Sequence, residues 1–208
     1  MVVKEFRGCH GLVYAEVTTD NNAVDGGYVT GEVKALAGTA EISKTVETSA
    51  EAKYYDNKSA FVINSEGPDV VTFTISVPDD EVMADITGRV YDAEKKAFID
   101  APRKTRYFAV GYILGEEGSN GEDERFVWRL KGTFNIPDET SATKNDGTDS
   151  NNMSLEFTGI FTDHEFENGG GTGVKSAVKG WYVRKADGKA TAEQFFSGVS
   201  TPDTTFGE

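Results

Sequence analysis

From Phe126 to Ile136 the sequence alternates without a break. Phe126, Trp128, Leu130, Gly132, Phe134 and Ile136 share one parity; Val127, Arg129, Lys131, Thr133 and Asn135 share the other. A period of two puts the sets on opposite faces of a pleated strand. Its expected partner, Tyr107–Leu114, is aromatic and β-branched on both faces, as a strand covered on both sides would be. Between them, Gly115–Glu124 (GEEGSNGEDE) supplies turn glycines and a solvated acidic tip. The stretch Thr105–Ile136 therefore predicts a long hairpin that anchors a β-sandwich. Full burial of each large apolar side chain contributes roughly 1.5–3 kcal/mol, but a hairpin does not stand alone.

The other 176 of the 208 residues have to complete that sandwich. Strand patterning is spread evenly and no linker divides it, so a single domain over 1–208 is expected. Thirteen Phe, eight Tyr and two Trp can fill a core, and 23 Gly suit many turns. Twenty-one basic against 35 acidic residues give a net charge of −14. That balance argues against a surface that grips nucleic acid, which needs clustered cations on phosphates. It suits solubility, or a surface to which nucleic acid must not stick. A single cysteine, Cys9, excludes an internal disulfide. Met1–Arg7 lacks the apolar stretch of a secretion signal, and no run approaches the ~20 residues of a membrane span. The expected compartment is a reducing cytoplasm, with no membrane partner.

Along the chain, Phe6–Thr18 and Tyr28–Leu36 predict strands flanking a turn at Asp20–Gly27. Ala40–Thr48 alternates weakly. Ser49–Asp69 is polar apart from Tyr54-Tyr55 and Phe61-Val62-Ile63, which predicts an excursion from the sandwich with an interfacial role. Val70–Val77 predicts a strand with Val71, Phe73, Ile75 and Val77 inward. Residues 79–88 predict one short flanking helix, with Asp79 capping its start and Gly88 its end. Val90–Ile99 predicts a hairpin turning at Asp92–Lys96. Pro137–Asn152 predicts a polar loop, and Leu155–Phe161 and Val178–Arg184 predict strands around a flexible Glu167–Gly173. Thr191-Ala-Glu-Gln194 fits a capping box opening a short C-terminal helix. The fold class is mainly β: a single-domain β-sandwich or partly open barrel.

No catalytic, cofactor or metal set is expected. Cys9 and His10 are neighbours on a strand and would point to opposite faces; no second Cys or nearby His completes a zinc set. Asp163 and Glu165 would likewise point away from His164. Asn145–Asn152 lacks the spacing of a calcium loop. Gly169–Gly173 lacks the Lys-Ser/Thr of a phosphate cradle. The carboxylate pairs Asp79/Asp80 and Glu116/Glu117 sit at a helix start and a hairpin tip, where they have structural uses. One reading of outward aromatics such as Trp181 or Tyr182 is a carbohydrate-binding β-sandwich module that stacks sugars on them.

The order of features carries a further reading. Tyr54-Tyr-Asp-Asn57 follows a weak strand, and a Thr-alternating strand ends in Pro78-Asp79. A short helix closes on Ile86-Thr-Gly88, and Tyr107-Phe-Ala-Val-Gly-Tyr112 follows. A Gly/acid loop then leads to Arg125-Phe-Val-Trp-Arg-Leu-Lys-Gly-Thr-Phe134. This series resembles the major tail proteins, the tail-tube subunits, of phages with long, flexible, non-contractile tails. The resemblance covers residues 1–199 and is best over 50–136. It implies a non-enzymatic virion protein, made in the host bacterial cytoplasm. Such a protein assembles as a homohexameric ring, and the rings stack into the tube through which DNA is ejected. The implied partners are other copies of itself and the tape-measure, tail-terminator and distal-tail proteins; DNA passes without specific binding. Residues 49–69 would then reach the next subunit or ring, with Tyr54, Tyr55, Asp56 and Asn57 as subunit-interface candidates. Six copies at −14 carry a formal −84. With a screening length near 8 Å at ~0.15 M salt, only carboxylates projecting into the bore would act on DNA. Glu41, Glu47 and Glu156 are the lumen-facing candidates.

Overall fold

Alternating sequence becomes strand almost throughout. The computed structural model describes residues 3–22, 27–119, 121–139 and 152–207. In chain order the first strands are β1 (Lys4–Asp20), β2 (Tyr28–Thr30), β3 (Lys34–Ala35), β4 (Thr39–Tyr55) and β5 (Lys58–Ile75). Helix α1 (Asp80–Thr87) leads to β6 (Val90–Asp92), β7 (Ala97–Ile99), β8 (Tyr107–Gly118) and β9 (Gly121–Phe134). Then come β10 (Met153–Gly159), β11 (Glu165–Phe166), β12 (Ser176–Ala177), β13 (Gly180–Arg184) and helix α2 (Ala192–Phe196). The main sheet is antiparallel in the order β2-β1-β8-β9-β10-β5-β4, with β3 also on β1 and β13 also on β9. It does not close into a barrel, and the whole is mainly β and sandwich-like.

The expected hairpin is present and central, but longer than its polarity suggested. Pairing runs from Phe108 opposite Gly132 to Gly118 opposite Gly121, so most of the anticipated loop is strand. Its acids are held by cations. Glu116, 4% exposed, meets Lys4 at 3.6 Å and Arg184 at 3.2 Å, with Arg125 also against it. The alternation of β9 splits at a register shift between Phe108 and Val110. Phe126, Trp128 and Leu130 pack in one core, whereas Val127 and Phe134 pack in the other. A β-bulge moves every later side chain to the opposite face. The single-face expectation for Phe126–Ile136 is corrected accordingly; Ile136 itself is exposed.

The inner core joins Leu12 and Tyr14 of β1, Val71, Phe73 and Ile75 of β5, and Phe108, Val110 and Tyr112 of β8. Phe157 of β10 and Ile86 of α1 complete it. The outer core lies across β8 and β9 and is covered by the chain after β10. Trp128 there donates to the Phe195 carbonyl at 3.1 Å, and Trp181 donates to the Ser200 carbonyl at 2.7 Å. Two strand ends fall short of expectation. β5 stops at Ile75 and leaves Val77 exposed, and β10 stops at Gly159 and leaves Phe161 exposed. The Tyr28–Leu36 strand is interrupted between β2 and β3. Asp79 occupies the N-cap of α1 without a side-chain cap bond, while Gly88 closes the helix in the left-handed conformation at φ 71°. Thr191 and Gln194 do form the capping box of α2. The glycine loop 167–173 is tied down: Asp203 accepts from the Glu167 and Asn168 amides at 2.9 and 2.8 Å. The Asn145–Asn152 stretch, apart from Asn152, and most of the 137–152 loop lie outside the described residues.

Helix α1 is fixed by Asp85, which accepts from Tyr14 at 3.0 Å and pairs with Lys34 at 3.0 Å and Arg106 at 2.9 Å. Burial disfavours its charge, but the bonds from Lys34 and Tyr14 outweigh that and hold its pKa below the ordinary 3.8. A lowered carboxylate pKa contributes stability above the unfolded value and loses it as pH falls. Asp85→Asn is therefore expected to flatten the acid limb of stability below about pH 4, followed by near-UV circular dichroism. At Gly132 a Cβ would collide with the Phe157 ring and the Thr158 carbonyl, whereas Gly198 has open space around it. Gly132→Ala should cost about 1–3 kcal/mol in urea unfolding, and Gly198→Ala should be near neutral.

Candidate interaction surface: a projecting β-arm

Strands β4 and β5 are 17 and 18 residues long, yet the body uses only their lower parts. β10 pairs with β5 from Asp69 to Ile75 and no further. Beyond Asp69 the two strands continue alone, from Thr48 opposite Glu66 to Tyr55 opposite Lys58. Polarity concealed a strand pair in the expected excursion. Eleven residue steps from Asp69 to Lys58, at about 3.3 Å each, give an arm of roughly 35 Å. Residues 54–66 are exposed without exception. The arm turns at Asp56 and Asn57, with φ of 48° and 62°, the doubly left-handed turn whose twist matches a two-residue hairpin and which Asp and Asn tolerate. That local requirement accounts for Asp56-Asn57 at the tip. It does not account for Tyr54 and Tyr55, which are 69% and 62% exposed.

The arm exposes large apolar side chains on both faces. Phe61 lies opposite Lys53 and Ile63 opposite Glu51, and the Tyr55 ring stacks on Phe61 at 6.2 Å. Tyr55, Phe61 and Ile63 therefore form an exposed stripe beside the Lys53–Glu51 ion pair on the same face, with Val62 opposite Ala52 on the reverse side. Both long edges of the arm also present unpaired backbone N–H and C=O groups among the described residues. An isolated two-stranded ribbon is marginal in water, and exposed edges template pairing with another chain.

A buried charge hub sets where the arm leaves the body. Asp69 is 3% exposed and contacts Lys44, Arg129 and Lys179, each at 3.2 Å. Lys179 also reaches Glu66 at 2.5 Å and the Gly67 carbonyl at 2.6 Å, beneath the Phe161 ring at 4.6 Å. Burial lowers the Lys179 pKa, but bonds to Glu66 and Asp69 outweigh that and raise it above the ordinary value. Neither Asp69 nor Lys179 was singled out from sequence. A signal existed: Asp69 has the inward parity of Val71, Phe73 and Ile75.

The three lumen candidates share one face. Glu41, Thr74 and Ser154 form one cross-strand row, and Ser43, Thr72 and Glu156 the next. Thr45, Val70, Thr158 and Thr133 follow in a third row. Glu47, two residues beyond Thr45, has the same parity and lies beside Gly67. None of these residues is basic. Between β1 and β4 the unclosed sheet leaves a cleft of about 640 Å³, lined by Phe6, Cys9, Ile42, Tyr112, Arg125 and Tyr182 among others.

The remaining candidates separate. Cys9 borders that cleft, whereas His10 lies 4.0 Å from Glu124 beside a different depression. His164 packs on Phe166 at 4.9 Å between ring centroids. No cluster of three metal-binding side chains occurs among the described residues. Trp181 is folded against Phe195 and Phe206, so only Tyr182 of that pair is exposed, under the Arg125 guanidinium at 4.8 Å. No protein-family model matches this chain, and no curated protein matches it.

Breaking a buried charge cluster by removing one partner costs about 3–5 kcal/mol. Asp69→Ala removes the carboxylate that Lys44 and Arg129 pair with and leaves Lys179 with Glu66 and the Gly67 carbonyl, and that loss is expected in urea unfolding.

Proposed function

We propose that this chain is a structural virion protein that self-assembles into stacked hexameric rings. The stack forms the tail tube of a long-tailed, non-contractile phage, the conduit for DNA ejection. The observation that carries the reading is the arm: some 20 residues of strand held out from the body, with an apolar stripe and two free edges. A monomer gains nothing from such a feature, whereas a copy that pairs with it removes both liabilities at once. The unclosed sheet is consistent with the same logic, since neighbours in a ring can complete it by edge pairing. The Ser/Thr/Glu rows around Glu41, Glu47 and Glu156 support a bore-facing role. They are polar and lack the cations that would hold phosphates. Tyr54 and Tyr55 are the arm's interface residues in this reading, and Asp56 and Asn57 make its turn.

Because the arm is held by its own ladder, it can be shortened cleanly. Replacing residues 50–64 with Asn-Gly joins Ser49 to Ser65, already opposite one another and 2.6 Å apart at their hydroxyls. The shortened chain is expected to fold with an unchanged far-UV spectrum. It is expected to stay monomeric at concentrations where the full chain forms rings or tubes by light scattering and negative-stain imaging. A full chain that remains monomeric at millimolar concentration, or a shortened chain that still polymerises, would overturn the reading.

A further inference from the structure

The cleft between β1 and β4 is continuous with the inner core. Its wall includes Tyr112 and Val127, which belong to that core, and Ile42 and Leu114, which pack against it. Lys44, Arg125 and Arg129 also line it, and strand alternation puts them on the same faces as Ile42 and Val127. Its volume of about 640 Å³ falls within the roughly 300–1,000 Å³ of small-molecule sites. The carboxylates that pair with these cations, Asp69 and Glu116, are not part of the wall. Neither ion cluster is balanced. At the hub, Lys44, Arg129 and Lys179 share Asp69 and Glu66. Around Arg125, that residue, Lys4 and Arg184 share Glu116 and Asp123. Each cluster thus sets three cations against two carboxylates among the described residues. Counting Glu41, the one acid in the wall, still leaves a positive charge over, in a chain of net charge −14. The Arg129 Nε is buried and has no hydrogen-bond partner among the described residues. The Arg125 guanidinium lies between the rings of Phe6, at 5.0 Å, and Tyr182, at 4.8 Å, and both rings are exposed.

We propose that this cleft binds one small amphipathic carboxylate. The apolar body lies against Ile42, Tyr112, Leu114 and Val127, where burial of its surface supplies the attraction. The carboxylate accepts charge-assisted hydrogen bonds from Arg129 and Lys44 and takes up the unbalanced positive charge. The same charge disfavours a cationic amphiphile, which would meet three ammonium or guanidinium groups in the wall. Cys9 is the chain's only thiol and borders the cleft, so its reactivity reports on occupancy. The whole site belongs to one chain, and this inference does not depend on the self-assembly proposed above.

Decanoate is the probe, titrated calorimetrically into the dilute full chain, with decyltrimethylammonium as the cationic control. Alkylation of Cys9 by iodoacetamide is followed in parallel by mass spectrometry. The expected result is saturable binding of one decanoate per chain, and slowing of Cys9 alkylation over the same concentrations. Decyltrimethylammonium should do neither. Lys44→Gln, which removes one wall cation, should weaken decanoate about tenfold, the loss of one charge-assisted hydrogen bond. Ala40 lines the cleft from an exposed position, so Ala40→Trp should fill it and abolish binding without lowering the melting temperature of the free chain. Cys9 protection in the unaltered chain carries the test if that variant does not fold. Absence of saturable binding overturns the proposal. Binding that leaves Cys9 unprotected, that survives in folded Ala40→Trp, or that the cationic amphiphile matches also overturns it, since the contact then lies elsewhere or ignores the charge. None of these results bears on whether the chain forms tubes.

Discussion

Backbone hydrogen bonding at strand edges governs this molecule. Every peptide unit carries a donor and an acceptor, and burying either without a partner is costly. Within the body, β10 satisfies one side of β5 and β4 the other. Above Asp69 that arrangement stops, while the β4–β5 ladder continues for eight further pairs to the tip. Water satisfies those edges in the monomer, so the arm is tolerable there. It does not reward the Tyr55–Phe61–Ile63 stripe, which stays wetted. The combination of satisfied ladder and unsatisfied surroundings makes the arm a ready-made element for strand addition.

The body has to hold such a lever at a fixed angle, and the Asp69 hub is where it does so. Lys44 comes from the arm's own partner strand, Arg129 from the central hairpin and Lys179 from the segment leading into β13. Three separate parts of the fold therefore converge on one carboxylate. Isolated buried charges are poor sources of stability, but a cluster with matched partners specifies geometry. Lys179 adds the Gly67 carbonyl at the point where the β4–β5 register slips between Val46 and Thr48. The bulge and the hub coincide, so the arm is clamped where its register slips.

Much of the fold was legible because period-two patterning survives in the core strands. Val71, Phe73 and Ile75, Leu155 and Phe157, and the β8–β9 hairpin were all readable from parity. The capping box at Thr191 and the left-handed stop at Gly88 were readable from residue type. Two things were hidden. The bulge that reassigns Gly132 and Phe134 to the inner core depends on the register of a partner strand, which one strand's sequence does not encode. The strands of 49–66 and 115–124 were masked by polarity: a ribbon wet on both faces shows no alternation of apolar and polar residues. The tip residues Tyr54 and Tyr55 were singled out by the motif that carries the resemblance, whereas the hub beneath them was missed. It is assembled from positions 44, 66, 69, 129 and 179, and no local window contains it.

Charge placement bears on the proposed tube more than charge total. A uniform excess of 14 negative charges would make copies repel at every contact. Here many of the cations are not spread out. They gather at the Glu116 cluster, at the Asp69 hub and along residues 89–106, leaving the Ser/Thr/Glu rows of β4, β5 and β10 free of basic residues. Segregation of this kind suits a conduit, because a polar, cation-free face offers a passing polyanion no counter-charge to exchange. Screening within about 8 Å confines that effect to the face itself, so cations paired elsewhere in the fold need not compromise it.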